Sequence, residues 1–339
     1  MASRAKYISV FLMSVVFTAA LIVIHTSSAS ALTTTQAAKQ GIQISPSIIN
    51  LNGTKGGSYT VTVKITNVTV QNQTYYSSVK DFTNKDESGT PNILLTSTLP
   101  DIASIRTWVS TNAKITLKPD ESKTLAVNIS IPSNAEAGGH YGALLFSGTA
   151  PTPSSAGVAL EASAAALFLV RVDGNIIENA TVASFYTAPT SSDNQSSFFE
   201  KAPITFVTRI KDDGNIHLQP NGHILVHDMF GNVTSTIAVN SDKANVLPNS
   251  IRRFDTTLSS SWMFGYYTAD LQLGYGTHGQ VLTDTISFWV IPYKIVLVAL
   301  LVVISVIFVL VRMVKVYNKR IIAKAIQKHE KTTSNHSKK

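Results

Sequence analysis

The chain has 339 residues, 44% of them hydrophobic, a formal net charge of +8 and no cysteine. The absence of cysteine excludes a disulfide scaffold, a cysteine nucleophile, thiolate metal sites and lipoprotein attachment, and it favours a bacterial cell surface. Nine Lys or Arg and one Glu follow Val311, whereas residues 32–290 hold 16 basic and 19 acidic residues. Because no basic face is predicted on a folded domain, we expect no nucleic-acid partner.

Residues 1–31 have the pattern of a secretory signal peptide. A long apolar stretch follows Arg4 and Lys6, and the chain then becomes small and polar up to an A-x-A motif at Ala29 and Ala31. This motif predicts signal cleavage, so that the mature chain begins just after it. The apolar stretch is long for a signal peptide, and an uncleaved anchor is the alternative.

A flexible leader is predicted at 32–40, followed by short segments of alternating polarity that are separated by turn residues. In the segment 59–66, every second residue is Tyr, Val or Ile and the others are Thr or Lys, which is typical of a half-buried strand. Short strands with turn signals about every 8–12 residues and no disulfide predict an Ig-like β-sandwich at 41–187. A polar linker at 188–197 and a second Ig-like β-sandwich at 198–292 follow.

A transmembrane helix is predicted at 293–314, because Ile295 to Val311 is unbroken apolar sequence that spans about 26 Å as a helix. A basic cytoplasmic tail at 315–339 places the C-terminus inside and the β-sandwiches outside. The predicted fold class is thus an all-β ectodomain of two tandem Ig-like β-sandwiches followed by one transmembrane α-helix. The membrane-flanking residues are Trp289, Tyr293, Lys294 and Arg312.

The two predicted sandwiches share a local pattern. Each has a polar turn with proline, a strand, and then G-x-Y-x-A-x-L, at 139–145 and 265–271. In a β-sandwich such a tyrosine commonly fills the edge of the core and bonds to backbone at a corner. We therefore predict structural roles for Tyr141 and Tyr267.

Few residues lie in patterns that could support catalysis or metal binding. The acidic loop from Asp81 to Glu87 has carboxylates for Ca²⁺ but lacks EF-hand spacing. His223 and His227 lie four apart on a predicted strand, about 13 Å from each other and too far apart for one metal. The sequence shows no nucleophile elbow, H-E-x-x-H motif or phosphate-binding loop. We expect no catalytic residues, no metal site and no cofactor.

Aromatic residues near strand ends are candidates for binding, with burial in the core as the alternative. The candidates are the aromatic residues Trp262, Phe264, Tyr75 and Tyr76, together with Met263, which lies between the first two.

Several segments together resemble the WxL-interacting surface proteins of Gram-positive bacteria. The matching stretches are 44–67, a proline-bearing first strand with a glycine turn and a second strand; 115–146, which is the most specific; and, less sharply, parts of 214–273. The resemblance implies a pilus-chaperone-like first domain, a second Ig-like domain and one transmembrane helix. It also implies a surface binding role with peptidoglycan and another envelope protein as partners.

The predicted function is that of a non-catalytic, single-pass binding protein of the cell membrane, which attaches to the cell wall or to a surface protein. The alternative is an extracytoplasmic assembly chaperone that uses a strand edge to hold secreted subunits. A signalling receptor fits less well because the tail is short. The sequence leaves the ligand and the oligomeric state open.

Overall fold

The computed structural model describes residues 41–100, 103–111, 114–148, 163–190, 193–260 and 262–336. The predicted signal peptide, including Ala29 and Ala31, and the predicted leader lie outside the described residues.

Ten strands of the first β-sandwich lie in two sheets. One sheet has the order β1-β3-β8-β6, and the other has the order β2-β10-β9-β4-β5, with β7 also paired to β4. The strands are β1 (Ile42–Ser45), β2 (Ile48–Gly53), β3 (Ser58–Asn67), β4 (Gln73–Asn84), β5 (Pro91–Leu94), β6 (Val109–Ser110), β7 (Lys114–Leu117), β8 (Ser122–Ser130), β9 (Gly138–Gly148) and β10 (Ser163–Val172).

The first two strands of this sandwich lie at the edges of different sheets. Strand β1 pairs antiparallel with β3, and two residues later β2 pairs parallel with β10 in the opposite sheet. Pro46 lies at the crossing, where the chain needs no ladder donor. Strand β2 thereby becomes the outer strand of the second sheet.

The core of the first sandwich lies between the two sheets. The alternation predicted for β3 is confirmed, since Val63 and Ile65 are fully buried. They belong to one apolar cluster with Phe146 of β9 and Phe168 of β10. This burial of apolar faces stabilises the sandwich without disulfides.

The second β-sandwich contains eight strands among the described residues. Its sheets have the orders β11-β13-β16 and β12-β18-β17-β14-β15, and Phe206 and Phe288 lie in the core between them. The strands are β11 (Ala180–Pro189), β12 (Phe198–Phe199), β13 (Ile204–Asp212), β14 (Asn221–Asp228), β15 (Val233–Val239), β16 (Ile251–Leu258), β17 (Gly265–Tyr275) and β18 (Gln280–Val290).

The change from one sandwich to the next comes earlier than the predicted linker at 188–197. Strand β11 pairs along its length with β13, so it belongs to the second sandwich. The chain therefore passes between the sandwiches at 173–179. Alternation identifies a strand but not its partner, which is why the sequence placed this strand on the wrong side.

Helix α1 runs from Tyr293 to His336. Its segment Tyr293–Ile322 contains an 18-residue stretch with a mean hydropathy of 3.2 and is long and apolar enough to cross a membrane. The helix continues without interruption beyond the predicted end at 314. The basic segment contains no Gly or Pro to stop it and is rich in Lys, Arg, Ala and Ile.

Candidate binding surface: a free strand edge and an adjoining cleft

The outer edge of β2 carries backbone groups that have no partner among the described residues. Leu167 N–H donates to Ser47 C=O at 2.8 Å and Asp173 N–H donates to Gly53 C=O at 3.0 Å, so these carbonyls face β10. Backbone groups of alternate residues in a strand point to opposite sides. Those of Ile48, Asn50 and Asn52 therefore point away from β10, and no described residue bonds to them.

The side chains along this edge change from apolar to polar. Ile48 is 46% exposed and pairs in register with Leu167, which is half-buried. Four residues further along β2, Asn52 pairs with Arg171. An extended segment of about 13 Å laid along β2 would contact an apolar end and a cationic end.

The polar end opens into a cleft between the two sandwiches with a volume of about 540 Å³. Asn50 and Asn52 line it from the first sandwich, and Lys243 lines it from the second. Arg171 and Glu178 form an ion pair in this cleft at 3.0 Å.

The cleft carries uncompensated positive charge. Burial alone would raise the pKa of Glu178, but hydrogen bonds from Thr277 and Arg171 outweigh burial and hold that pKa below its usual range. Glu178 is thus ionised and already paired, by Arg171 and by the backbone N–H and hydroxyl of Thr277. Lys243 is exposed and has no ion-pair partner among the described residues. An acidic group entering the cleft would meet a net cationic wall.

Tyr141 and His217 join the sandwiches beside this cleft. The Tyr141 hydroxyl accepts a hydrogen bond from the backbone N–H of His217 at 3.0 Å, and the rings meet edge to face with centroids 5.7 Å apart. Burial lowers the pKa of His217 to about 4, with Arg171 adding to the effect. Burial raises the pKa of Tyr141. Both groups are therefore neutral near pH 7.

Asp212 lies near the same junction. It is fully buried, and Gly214 N–H donates to its Oδ1 at 2.8 Å, whereas its Oδ2 has no partner among the described residues. Burial raises the pKa of Asp212 to about 7, partly offset by the bond from Gly214.

Tyr141 differs from its predicted role. It is buried, at 6% exposure, but its hydroxyl bonds to the second sandwich rather than to a corner of its own. Its ring packs in a cluster that includes Leu247 of the second sandwich. Tyr267 is also buried, and its hydroxyl bonds locally to the backbone of Phe264. The two tyrosines are not equivalent, because only Tyr141 lies at the junction.

The predicted binding residues are divided between the two sandwiches, and two of them are buried. Tyr75 is 1% exposed in the first core and Met263 is buried in the second, so neither reaches the surface. Tyr76 is exposed in the first sandwich, whereas Trp262 and Phe264 are exposed in the second. In a strand, neighbouring residues face opposite sides, which explains why Tyr75 and Tyr76 separate.

The acidic loop from Asp81 to Glu87 uses its carboxylates for protein contacts. Asp81 accepts from the Ser104 hydroxyl at 2.5 Å and from Leu99 N–H at 3.0 Å. Glu87 forms a two-pronged ion pair with Arg209 of β13. In the part of the chain that the structure describes, no group of three or more His, Cys, Asp or Glu is placed to hold a metal.

The residues of the cleft were not among the sequence candidates. Asn50, Arg171 and Lys243 are far apart in the chain and form no motif. Only the parallel pairing of β2 with β10 and the packing of the sandwiches assemble them. The proline-bearing first strand was the one local signal near the site.

Neither a protein-family model nor a curated protein matches the chain. Among solved structures, the class 5 fimbriae chaperone CfaA is 16% identical, with a TM-score of 0.37, over 72% of this chain and 98% of its own. The SafB chaperone of Salmonella enterica, solved with the SafA pilin, is 10% identical, with a TM-score of 0.34, over 73% and 96%. The Escherichia coli chaperone DraB is 10% identical, with a TM-score of 0.31, over 74% and 96%. Because these identities and TM-scores are low, the function proposed below rests on the geometry of this chain.

Proposed function

We propose that this protein is a non-catalytic, membrane-anchored binding protein that holds an extended segment of another exported protein by strand addition. The observation that carries the proposal is the free outer edge of β2, where the backbone groups of Ile48, Asn50 and Asn52 have no described partner. A free edge gives main-chain affinity to any extended segment, and neighbouring pockets select its side chains. This is the activity of an assembly chaperone or of a surface attachment protein.

The side chains at the edge define the segment. Ile48 and Leu167 favour an apolar residue, and the cleft with Arg171 and Lys243 favours an acidic group about four residues away. Helix α1 would keep this edge on the outer side of the cell membrane. The resemblance to WxL-interacting proteins fits this role with an envelope protein as the partner.

A photo-reactive amino acid in place of Ile48 tests the proposal in the full-length chain, in the membranes of the cells that make it. We expect cross-links to one or more exported proteins, mapped by mass spectrometry to an extended segment. Asn50→Pro removes an outward N–H that the β2–β10 ladder does not use, so it should abolish the cross-link while the fold is kept.

Asn50→Ala is the matched control, because it removes the same side chain and keeps the N–H. It should leave the cross-link in place, and Lys243→Gln should weaken it. A cross-link that survives Asn50→Pro would contradict strand addition. Retention on purified sacculi, unchanged by Asn50→Pro, would indicate a cell-wall ligand instead.

A further inference from the structure

One end of the second sandwich is tied closely to helix α1. Val290 ends β18 and pairs with Gly265, and the helix begins at Tyr293. Ile291 N–H donates to Phe199 C=O at 2.8 Å, which holds the connection against the sheet. The two residues between strand and helix can span only about 7 Å, so this end of the sandwich cannot move far from the start of the helix.

This helix-proximal end carries large exposed apolar side chains. Phe230 is 81% exposed and Trp262 is 65% exposed, and four others lie between 46% and 53%. They come from four separate segments: the β14–β15 turn, the residues before β17, strand β12 and the end of β18. The six side chains, called here the collar, are Phe198, Met229, Phe230, Trp262, Phe264 and Trp289.

The register brings these segments to the same end. Asp228 pairs with Tyr267, so the β14–β15 turn lies beside the start of β17. The methyl group of Met229 occupies the space where Gly265 has no side chain. Trp289 pairs with Phe198 on one side, and on the other its ring lies 5.2 Å from that of Tyr266.

The most exposed member of the collar is held in place. Asp228 Oδ1 accepts hydrogen bonds from the backbone N–H groups of Phe230 and Asn232, each at 2.9 Å. These bonds turn the carboxylate towards its own backbone and fix the conformation of the turn. Phe230 is therefore presented outward on a defined turn.

Charge at this end is modest. Glu200 pairs with Lys294 at 2.9 Å at the start of the helix, and Lys201 is exposed nearby. A surface with aromatic side chains, a few basic groups and little free acid suits the headgroup layer of a bilayer.

We propose that the collar inserts into the headgroup layer of the outer leaflet and seats the second sandwich on the membrane. The inference rests on helix α1 crossing a bilayer, as the proposed function does. The short connection between β18 and helix α1 favours lipid over a protein partner. It holds the apolar side chains close to the start of the membrane-crossing helix, where lipid is always within reach. The free edge of β2 then belongs to a protein whose second sandwich is held at the membrane surface.

The chain contains no cysteine, which allows clean single-site labelling of the full-length protein in phosphatidylglycerol and phosphatidylethanolamine vesicles. Nitroxide labels at Phe230→Cys and Trp262→Cys should be relaxed more by oxygen than by a water-soluble nickel complex, as expected in the headgroup layer. A label at His278→Cys is the matched control, because His278 is exposed in the β17–β18 turn at the opposite end. This label should be relaxed more by the nickel complex than by oxygen, as expected for a label in water.

Equal nickel accessibility at all three positions would overturn the proposal, and so would protection from both reagents at positions 230 and 262, which indicates a protein cover. Neither result affects the strand-edge proposal, which the Ile48 cross-link tests separately. Because Phe230 and Trp262 lie on the surface, loss of folding is not expected, and circular dichroism of each variant checks it.

Discussion

Tyr141 is one of the residues that join the two sandwiches. Its hydroxyl accepts a hydrogen bond from the partly buried N–H of His217, and its ring lies against Phe82 in a cluster against which Leu247 of the second sandwich packs. A buried donor without a partner costs about 1–3 kcal/mol. The tyrosine therefore contributes to the stability of both sandwiches, which a corner tyrosine would not do.

We predict that Tyr141→Phe lowers the free energy of unfolding by about 1–3 kcal/mol. Hydrogen exchange at the His217 amide should accelerate with it, since the variant removes its acceptor. Tyr267→Phe is the comparison, because the described partner of its hydroxyl is the Phe264 backbone in its own sandwich. If exchange at His217 responds equally to both variants, the junction role of Tyr141 is wrong.

The pair Asp212 and His217 makes opposite contributions to stability between pH 4 and 6.5. Asp212 ionises near pH 4 when unfolded and near 7 when folded, so the folded state holds the extra proton and stability falls as pH rises through this interval. His217 ionises near pH 6.5 when unfolded and near 4 when folded, so stability falls as pH decreases through its interval. Where the intervals overlap, the two slopes largely cancel.

We predict that replacing either Asp212 or His217 removes this cancellation of the two slopes. Asp212→Asn should make stability rise with pH from 4 to 6.5, and His217→Gln should make it fall, each by at most ~1.4 kcal/mol per pH unit. Urea unfolding at pH 4.5, 5.5 and 6.5 measures both slopes. Profiles parallel to that of the wild-type chain would show that neither group titrates as described.

The β4–β5 hairpin is the element that docks the first sandwich onto the second. Arg253 N–H, on the outer edge of β16, donates to Glu87 C=O at 2.7 Å. Glu87 also binds the guanidinium of Arg209, and the hydrogen bond from Arg209 holds the pKa of Glu87 below its usual range. The hairpin thus covers part of the outer edge of β16, which pairs only with β13 among the described strands.

We predict that Glu87→Gln loosens this docking without unfolding either sandwich. Both partners of the ion pair are about one-third exposed, so the loss should be only about 0.2–1 kcal/mol. Hydrogen exchange at Arg253 should rise while exchange in the β17–β18 ladder stays constant. Asp86→Asn is the control, since the described partner of Asp86 is Ser88 of the same loop. An equal rise with it would contradict the assignment to Glu87.

At the scale of the whole molecule, the apolar helix and the basic residues after it predict an orientation in the membrane. We predict that a membrane-impermeant maleimide labels His278→Cys in intact cells, because positive charge retains the C-terminal segment inside. Thr333→Cys should react only after permeabilisation. Reaction of both variants in intact cells would rule out a single crossing with an inner C-terminus.

Periodicity in the sequence determined the class of fold. Alternation along 59–66 predicted the buried face of β3, and an unbroken apolar run predicted helix α1, because both depend on neighbouring residues. The sequence also predicted structural roles for Tyr141 and Tyr267 from the motif that they share. Both side chains are buried in the structure.

Only the tertiary structure decided which surfaces meet. It assigned β11 to the second sandwich, moved Tyr141 from a corner to the junction and assembled the cleft from Asn50, Arg171 and Lys243. It also gathered the collar from four segments at the helix-proximal end. Which strands pair in a sheet and which faces meet between sandwiches depend on residues that are far apart in the chain. The local alternation of polar and apolar residues indicates only which face of each strand is buried.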